Sequence, residues 1–410
     1  MIKNPKQRLF EMMNRVADMP IDVSEKYFPN DSDALNEVDL DGDFKDVKHS
    51  CMNVAELKDY LNKILANYAL PSHKRSKPDL IIHNKVIKKT KEGDIDVQEF
   101  IDNIIQEPPN MVTMGNAKMV KSSTEDFYTV TIGLPAFRGI VYDTDNHNFI
   151  VVNTCPGAGS CVKPCYARKG NYVRLPNNFL KQTRILNLLL NNPERFKEKL
   201  KAEIKNITQN KDFRGKQMRF RWNDSGDFFT KKYFQVGKEI MGELKSEGYN
   251  VKPYAHTKVA DVYNDNRIPK DFSNLSLATS APDFVVSFSV DANKGERGKV
   301  DLENAKTSEI VVSDYFDDLF IKTDPAHYAV DEKDKLIFKD KDNGMNILKD
   351  RIAKDFHVDR KSLLSHDEFM NPKIAPPSDK PIYNVIVQSK GETDVPTQRA
   401  DVLRTFFLIH

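Results

Sequence analysis

The stretch QMRFRWNDSGDFF, residues 217–229, decides how the rest of the chain is read. Met218, Phe220 and Trp222 alternate with Gln217, Arg219 and Arg221, the period of a strand with one apolar face. Directly behind it, Asn223, Asp224, Ser225 and Gly226 are turn formers. Thr230 then suits a helix N-cap, and Tyr233, Phe234, Ile240, Met241 and Leu244 share one helical face that ends at Gly248. Strand, polar turn and helix together make one βα unit.

The same unit recurs on both sides. Upstream, NFIVVNT (148–154) reads as a strand and FLKQTRILNLLL (179–190) as a helix. A second helix starts at Asn192 as N-cap with Pro193 at its first position, carrying Phe196, Leu200, Ile204 and Ile207 on one face. Downstream, NVKPYAHTK (250–258), FVVSFSVDAN (284–293) and SEIVVSDYF (308–316) read as strands, with Pro253 calling for an edge, a bulge or a late start. This alternation predicts an α/β fold of parallel strands, a partial or complete β/α barrel of TIM-like form. In such a fold the functional residues gather where strands end and loops begin.

Residues 1–109 read as a mainly helical extension, from LFEMMNRVADM (9–19), VAELKDYLNKILANYAL (54–70) and VQEFIDNIIQE (97–107), closed by Pro108-Pro109. Short β-rich runs follow, FYTVTIGLPAF (127–137) and RGIVYDT (138–144), so 110–324 is the expected barrel core. The region 325–378 is charged and irregular. After the linker APPSDKP (375–381), the strand IYNVIVQS (382–389) returns to the core, making 325–410 an insertion with a closing strand.

With 62 basic and 60 acidic side chains, the net charge of +2 gives no general argument for nucleic acid or membrane as a partner. No apolar run reaches the ~18–20 residues that cross a bilayer, and the first twenty residues do not read as a secretory signal, so a cytoplasmic protein is expected. The acidic run 31–45 and the basic run 74–91 read as solvated faces. Asp39, Asp41 and Asp43 lack the glycine position and the closing acid of a calcium loop. Arg184, Arg195, Arg219 and Arg221 interleave with helix and strand positions instead of forming a patch for nucleic acid.

Four cysteines occur, and Cys155, Cys161 and Cys165 fall within NTCPGAGSCVKPCYARKGNY (153–172), far from Cys51. Clustering of this kind in a long chain points to metal or redox chemistry rather than a disulfide framework. Three local thiolates hold three irons of a [4Fe–4S] cluster and leave the fourth iron open. Zinc would need a fourth ligand from elsewhere, since His147 and His256 lie on other segments, and unliganded thiols are the third reading. Arg168 and Lys169 beside the cysteines either offset the charge of a cluster or are solvated.

Further candidates stand at the other strand ends. Asn223, Asp224, Ser225 and Asp227 form a site or cap the next helix, and the two are compatible. His256 and Lys258 suit a ligand or acid–base role, although a lone histidine is more often an ordinary hydrogen-bonded residue. Ser289, Asp291 and Asn293 suit a ribose or a substrate hydroxyl, or the turn before GERGK. His410 has no assigned chemistry.

The segments MGNAKM (114–119), GLPAF (133–137), CPGAGSC (155–161) with CYARKGNY (165–172), RWNDSGDFF (221–229) and RADVLRTFFLIH (399–410) resemble the phage gene product 88 family over about residues 110–410. The resemblance implies a bacteriophage origin, and with it the cytoplasm of an infected bacterium or association with the virion. A more distant likeness is to radical S-adenosylmethionine (SAM) enzymes, which implies a radical-SAM-like barrel. Cys155, Cys161 and Cys165 would bind the cluster, Tyr166 would shield it, and Ser225, Gly226 and Asp227, with Asn223 beside them, would hold the methionine end of SAM. Asp224 is the alternative to Asp227 and a candidate acid or base. Such an enzyme needs an electron donor and a substrate, small or macromolecular. The spacing Cys-x5-Cys-x3-Cys departs from the radical-SAM majority pattern Cys-x3-Cys-x2-Cys. The rival expectation is a structural or host-directed phage protein in which the cysteines hold zinc or a cluster as a staple.

Overall fold

A computed structural model describes residues 50–76, 78–115, 119–120, 122–162, 165–168, 170–266, 284–302, 305–311, 328–330, 336–338, 341–378, 382–388 and 393–408. The expected helix at 9–19, the runs at 31–45 and 312–316, Lys169 and His410 lie outside these residues.

In chain order the strands are β1 (Ser50–Met52), β2 (Phe127–Thr131), β3 (Arg138–Asp143), β4 (Asn148–Asn153), β5 (Gln217–Trp222), β6 (Val251–Thr257), β7 (Val285–Ser289), β8 (Thr307–Val311), β9 (Tyr328–Val330), β10 (Leu336–Phe338), β11 (Leu363–Ser365), β12 (Tyr383–Gln388) and β13 (Val402–Leu408). Eight of them make one parallel sheet in the order β11-β12-β13-β8-β7-β6-β5-β2. The expected α/β class with parallel strands is what forms. The sequential neighbours of a barrel continue only from β2 through β8, after which the last strand, β13, takes the next place. The pairings among the described residues run from β11 at one edge to β2 at the other without joining the two.

The run 148–154 is a strand, but β4 pairs antiparallel with β1 and β3 in a separate three-stranded sheet. The cysteine loop therefore does not leave a strand of the parallel sheet directly. It lies within the long crossover from β2 to β5, the first two parallel strands in the chain. The strand does not start late: Pro253 lies inside β6 opposite Phe220 of β5, at a point where β6 has not begun to pair with β7, which joins only from Tyr254. On that side the missing N–H of proline is not called upon.

Helices α1 (Val54–Ala69) and α2 (Val97–Ile105) fall where periodicity places them; the first is closed by a capping box between Asn53 and Glu56. In α3 (Pro176–Asn191) and α4 (Pro193–Gln209), the side chain of Asn192 accepts from Arg195 N at 3.0 Å and Pro193 opens the second helix, as read. Thr230 accepts from Tyr233 N at 3.0 Å to start α5 (Lys231–Ser246), and Gly248 takes a φ of 86° beyond its end.

The region 325–378 is less irregular than its charge suggests. It holds the antiparallel pair β9 and β10, helix α6 (Lys341–Asp355) and the edge strand β11. Leu348 and Ile352 of α6 bury against Leu363, Ile386, Phe406 and Leu408, so a thin apolar stripe carries a mostly charged segment.

The parallel sheet has two unlike faces. Met218, Phe220, Trp222, Ala255, Val286 and Phe288 point to α4 and α5, meeting Phe196, Leu200, Ile204, Tyr233, Phe234 and Ile240 in the main core. Each large side chain buried there contributes roughly 1.5–3 kcal/mol. A second core joins Leu57, Phe100 and Ile104 of the N-terminal helices to Ile140, Phe149, Val151 and Phe179. The opposite face is polar across β5 to β8, whereas at β12 and β13 Val385, Val387 and Val402 pack on Phe369 and Ala375. Buried Asp394 accepts from Arg221 Nη1 at 2.8 Å, Tyr254 Oη at 3.2 Å and Ser122 Oγ at 2.7 Å. Arg219 stacks 3.4 Å from the centre of the Phe127 ring and donates to Gln398 Oε1 at 2.7 Å. Among the described residues no helix is long and apolar enough to cross a membrane.

Candidate functional site

The cysteine loop is docked on the carboxyl ends of β6 and β7, and its two glycines are the points of contact. A Cβ on Gly157 would lie 2.1 Å from the carbonyl oxygen of Lys258, and one on Gly159 would lie 2.6 Å from that of Asp291. At both positions the missing side chain admits neighbouring backbone. Ala158 forms a bridge with Ala292, Asn293 N donates to Gly157 O at 2.9 Å, and Asn293 Nδ2 donates to Pro156 O at 3.2 Å.

The loop is also tied to the end of β5. Asp227 N donates to Thr154 O at 2.8 Å, while the Asp227 carboxylate accepts from Phe228 N at 2.7 Å and Lys258 N at 2.8 Å. Burial raises the Asp227 carboxyl above its ordinary range, against the pull of Lys258. Asp227 is thus a knot between three strand ends.

Cys155, Cys161 and Cys165 are partly open to solvent, yet the first two are closely surrounded by protein, as in a recess. Burial pushes the Cys155 thiol up to about 12, helped by the charge of Asp227 and opposed by the Phe137 N–H and Lys258. Burial also raises the Cys161 thiol, opposed chiefly by Lys258. Burial pulls the Lys258 ammonium down, but Cys161, Asp227, Cys155 and Asp291 together hold it above its ordinary value. One cation therefore serves two thiols and two carboxylates, with the Cys165 side chain close enough to act on Cys161.

Phe137 escapes a reading of the sequence for chemistry. Its φ of 69° is rare for a bulky residue, and it aims its N–H at Cys155 Sγ, 3.4 Å away. The only signal was its place at the end of GLPAF. Arg168 is mostly buried rather than solvated: its Nη2 meets Pro78 O at 3.3 Å and Asp79 at 3.4 Å, and its guanidinium lies 5.3 Å from the Phe137 ring centre. The Tyr166 side chain lies outside those described, although its backbone opens a short 3-10 turn, Tyr166–Arg168.

Asn223, with φ 55°, accepts from Tyr233 Oη at 3.0 Å, and Asp224 accepts from Tyr172 Oη at 2.8 Å. Gly226 has φ 78°, and a Cβ there would lie 2.8 Å from that of Leu134. Among the described residues the buried Ser225 Oγ has no hydrogen-bond partner. His256 lies on the polar sheet face, where its Nδ1 is 3.1 Å from Ser308 Oγ and its ring meets Phe407 edge to face. Ser289 Oγ donates to Asp291 Oδ2 at 3.3 Å. Asp224 thus reaches toward the crossover, Lys258 and Asp291 toward the cysteines, His256 toward β8, and Ser289 toward Asp291.

The sequence model of the family described as Gene product 88 matches residues 110–356, from just before β2 to the end of α6. The chain belongs to the gene product 88 family. Membership supports the bacteriophage origin, and the match takes in every cysteine-site residue of this gene product 88 protein. It stops short of β11, β12 and β13, so the terminal segment 399–410 lies outside it. No curated protein and no solved structure matches the chain.

Among the described residues no group of three or more His, Cys, Asp or Glu side chains is gathered to hold a single metal ion. A cubane asks for less, because each thiolate meets its own iron. Two thiols in a recess with a buried ammonium beside them, a third nearby and a backbone N–H aimed at one sulfur form a donor set that fits such a cluster.

Proposed function

We propose that this gene product 88 protein holds a [4Fe–4S] cluster through Cys155, Cys161 and Cys165 and is an enzyme of radical-SAM-like design. The observation that carries the proposal is the placement of Lys258: its ammonium shares a recess with Cys155 and Cys161 at the carboxyl ends of parallel strands. When bound, the cluster supplies a one-electron centre with one open ligand position.

The chain's own residues do the positioning. Lys258 offsets the charge that thiolates and sulfides bring into a buried recess. Phe137 N–H supports the Cys155 sulfur, and Asp227 locks the ends of β5 and β6 to the start of the cysteine loop. SAM is the proposed ligand of the open position. This is supported by the location of the loop in the β2-to-β5 crossover and of Ser225 to Asp227 behind β5. Because the Asp227 carboxylate already serves two backbone N–H groups, Ser225 Oγ is the better candidate to meet an added amine.

Anaerobic purification followed by iron, sulfide and zinc analysis tests this reading. About four irons and four sulfides per chain are expected, lost in Cys161→Ala. A colourless protein with one zinc and no labile sulfide would sink it and leave the staple reading. Addition of SAM should then change the electron-spin spectrum of the reduced cluster, and an unchanged spectrum would count against SAM alone.

A further inference from the structure

The N-terminal segment reaches the cysteine loop and the helical turn behind it at two points. Arg168, three residues after Cys165, donates from Nη2 to Pro78 O at 3.3 Å and to Asp79 Oδ1 at 3.4 Å. His83 Nε2 lies 3.1 Å from Arg174 O, and since a carbonyl only accepts, that nitrogen donates. The segment is itself anchored: Leu80 forms a parallel bridge with Arg138, and Tyr60 Oη of α1 donates to Leu80 O at 2.6 Å. Asp79 and His83 are 5% and 4% exposed and the Arg168 side chain 12%, so these ties lie inside the protein, where an ion pair that loses one partner is costly.

Arg168 stands between this segment and two of the cysteines. Its backbone N donates to Cys165 O at 3.2 Å, closing the short turn that follows the third cysteine. Its guanidinium lies 5.3 Å from the centre of the Phe137 ring, within the range of a cation–π contact. Phe137 in turn directs its N–H to Cys155 Sγ from a φ of 69°, a conformation that a bulky residue keeps only where its surroundings hold it. One side chain therefore joins the first and third cysteines to Asp79.

We propose that Arg168 is a positioning residue of the cysteine site and that Asp79 sets it, which makes the N-terminal segment a working part of that site. Asp79 and His83 precede residue 110, where the match to the family model begins, so this part of the site comes from outside the matched stretch. The job suits arginine alone among the cations: a planar guanidinium can lie on a ring while its N–H groups reach a carbonyl and a carboxylate, whereas a lysine ammonium cannot do both. The inference rests on the proposed function only for what the cysteines hold; the placement of Cys165 by Arg168 requires no cluster.

The test uses the full chain as wild type, Asp79→Asn and Arg168→Lys. Arg168→Lys keeps the charge, and Asp79→Asn leaves every group next to the cysteines in place, so either variant alone decides the matter if the other fails to fold. In metal-free, reduced protein, iodoacetamide labelling mapped by mass spectrometry should quicken at Cys165 by a factor on the order of ten. Cys161, which is held from β7 through Gly159, should keep its rate. In protein carrying a cluster, release of iron to a chelator should quicken about tenfold, and the electron-spin spectrum of the reduced cluster should change. Labelling unchanged at Cys165, or quickened equally at Cys161 as in general loosening, would overturn the proposal and leave the cluster reading standing. Absence of iron in wild type would sink the cluster reading and leave the labelling result to decide the role of Arg168.

Discussion

Gly157 and Lys258 touch backbone to backbone: a Cβ on the glycine would meet the lysine carbonyl at 2.1 Å and the lysine Cβ at 2.8 Å. Neither contact is with the far end of a flexible side chain, so the loop and the end of β6 have one way to fit together.

A Gly157→Ala variant is therefore expected to lift the cysteine loop off β6. The cost should be about 1–3 kcal/mol in chemical denaturation. Bound iron should fall with it, although no cysteine is changed. A variant with full stability and full iron would show that the close approach is not required.

Removing Lys258 tests the electrostatics of the recess. In metal-free protein, Lys258→Met should slow iodoacetamide alkylation of Cys161 at pH 8–9 by a factor on the order of ten, because the ammonium opposes the upward push of burial. Peptide mapping by mass spectrometry assigns the rate to that thiol. An unchanged rate would place the ammonium too far away to matter.

Asp394 sits under the middle of the sheet with a guanidinium, a phenol and a hydroxyl on it. Asp394→Ala strands Arg221 in a buried setting, and a loss of ~3–5 kcal/mol is expected in urea unfolding. Replacing both residues, Asp394→Leu with Arg221→Met, should recover most of that loss. Failure to recover would mean that the ion pair does more than satisfy itself.

Lys306 gives a pH dependence of definite sign. Burial lowers its ammonium to about 7, with Asp401 opposing and Arg399 adding to the shift, while Nζ donates to Arg399 O at 3.0 Å and Val402 O at 2.6 Å. Between pH 7 and about 10.4 the unfolded chain binds the proton that the folded chain releases, so this group favours folding more strongly as pH rises through that window. Stability of wild type relative to Lys306→Met should climb from pH 7 to pH 10 in parallel denaturation curves. A flat difference would contradict the shift.

What the sequence made legible was local. The caps at Asn192 and Thr230, the glycine stop at Gly248 and the alternation in 217–222 each rest on residues a few positions apart, and each forms as read. The neighbours of β13 were not legible, because the pairing of Thr405 with Ser308 depends on the whole intervening chain. Strand β11 is three residues long in a charged region, too short for a period to show. At the site, the gathering of Cys155, Cys161 and Cys165 in one loop was plain, but the hold of Asp227 on Lys258 and the aim of the Phe137 amide depend on contacts between distant segments. His256 sits near the end of β6 as expected, and its Nδ1 lies 3.1 Å from Ser308 Oγ on β8, a contact between distant segments that no local pattern announces.

The place of β13 between β8 and β12 also has a consequence on the ribosome. Five parallel strands can assemble as they emerge, but the outer edge of β8 stays unpaired until residues 402–408 have been synthesised. An open parallel edge is a template for other chains, so the nascent protein is exposed to intermolecular pairing through this whole interval. Chaperone dependence during synthesis, and aggregation of chains that stop short of β13, should follow from that single out-of-order strand.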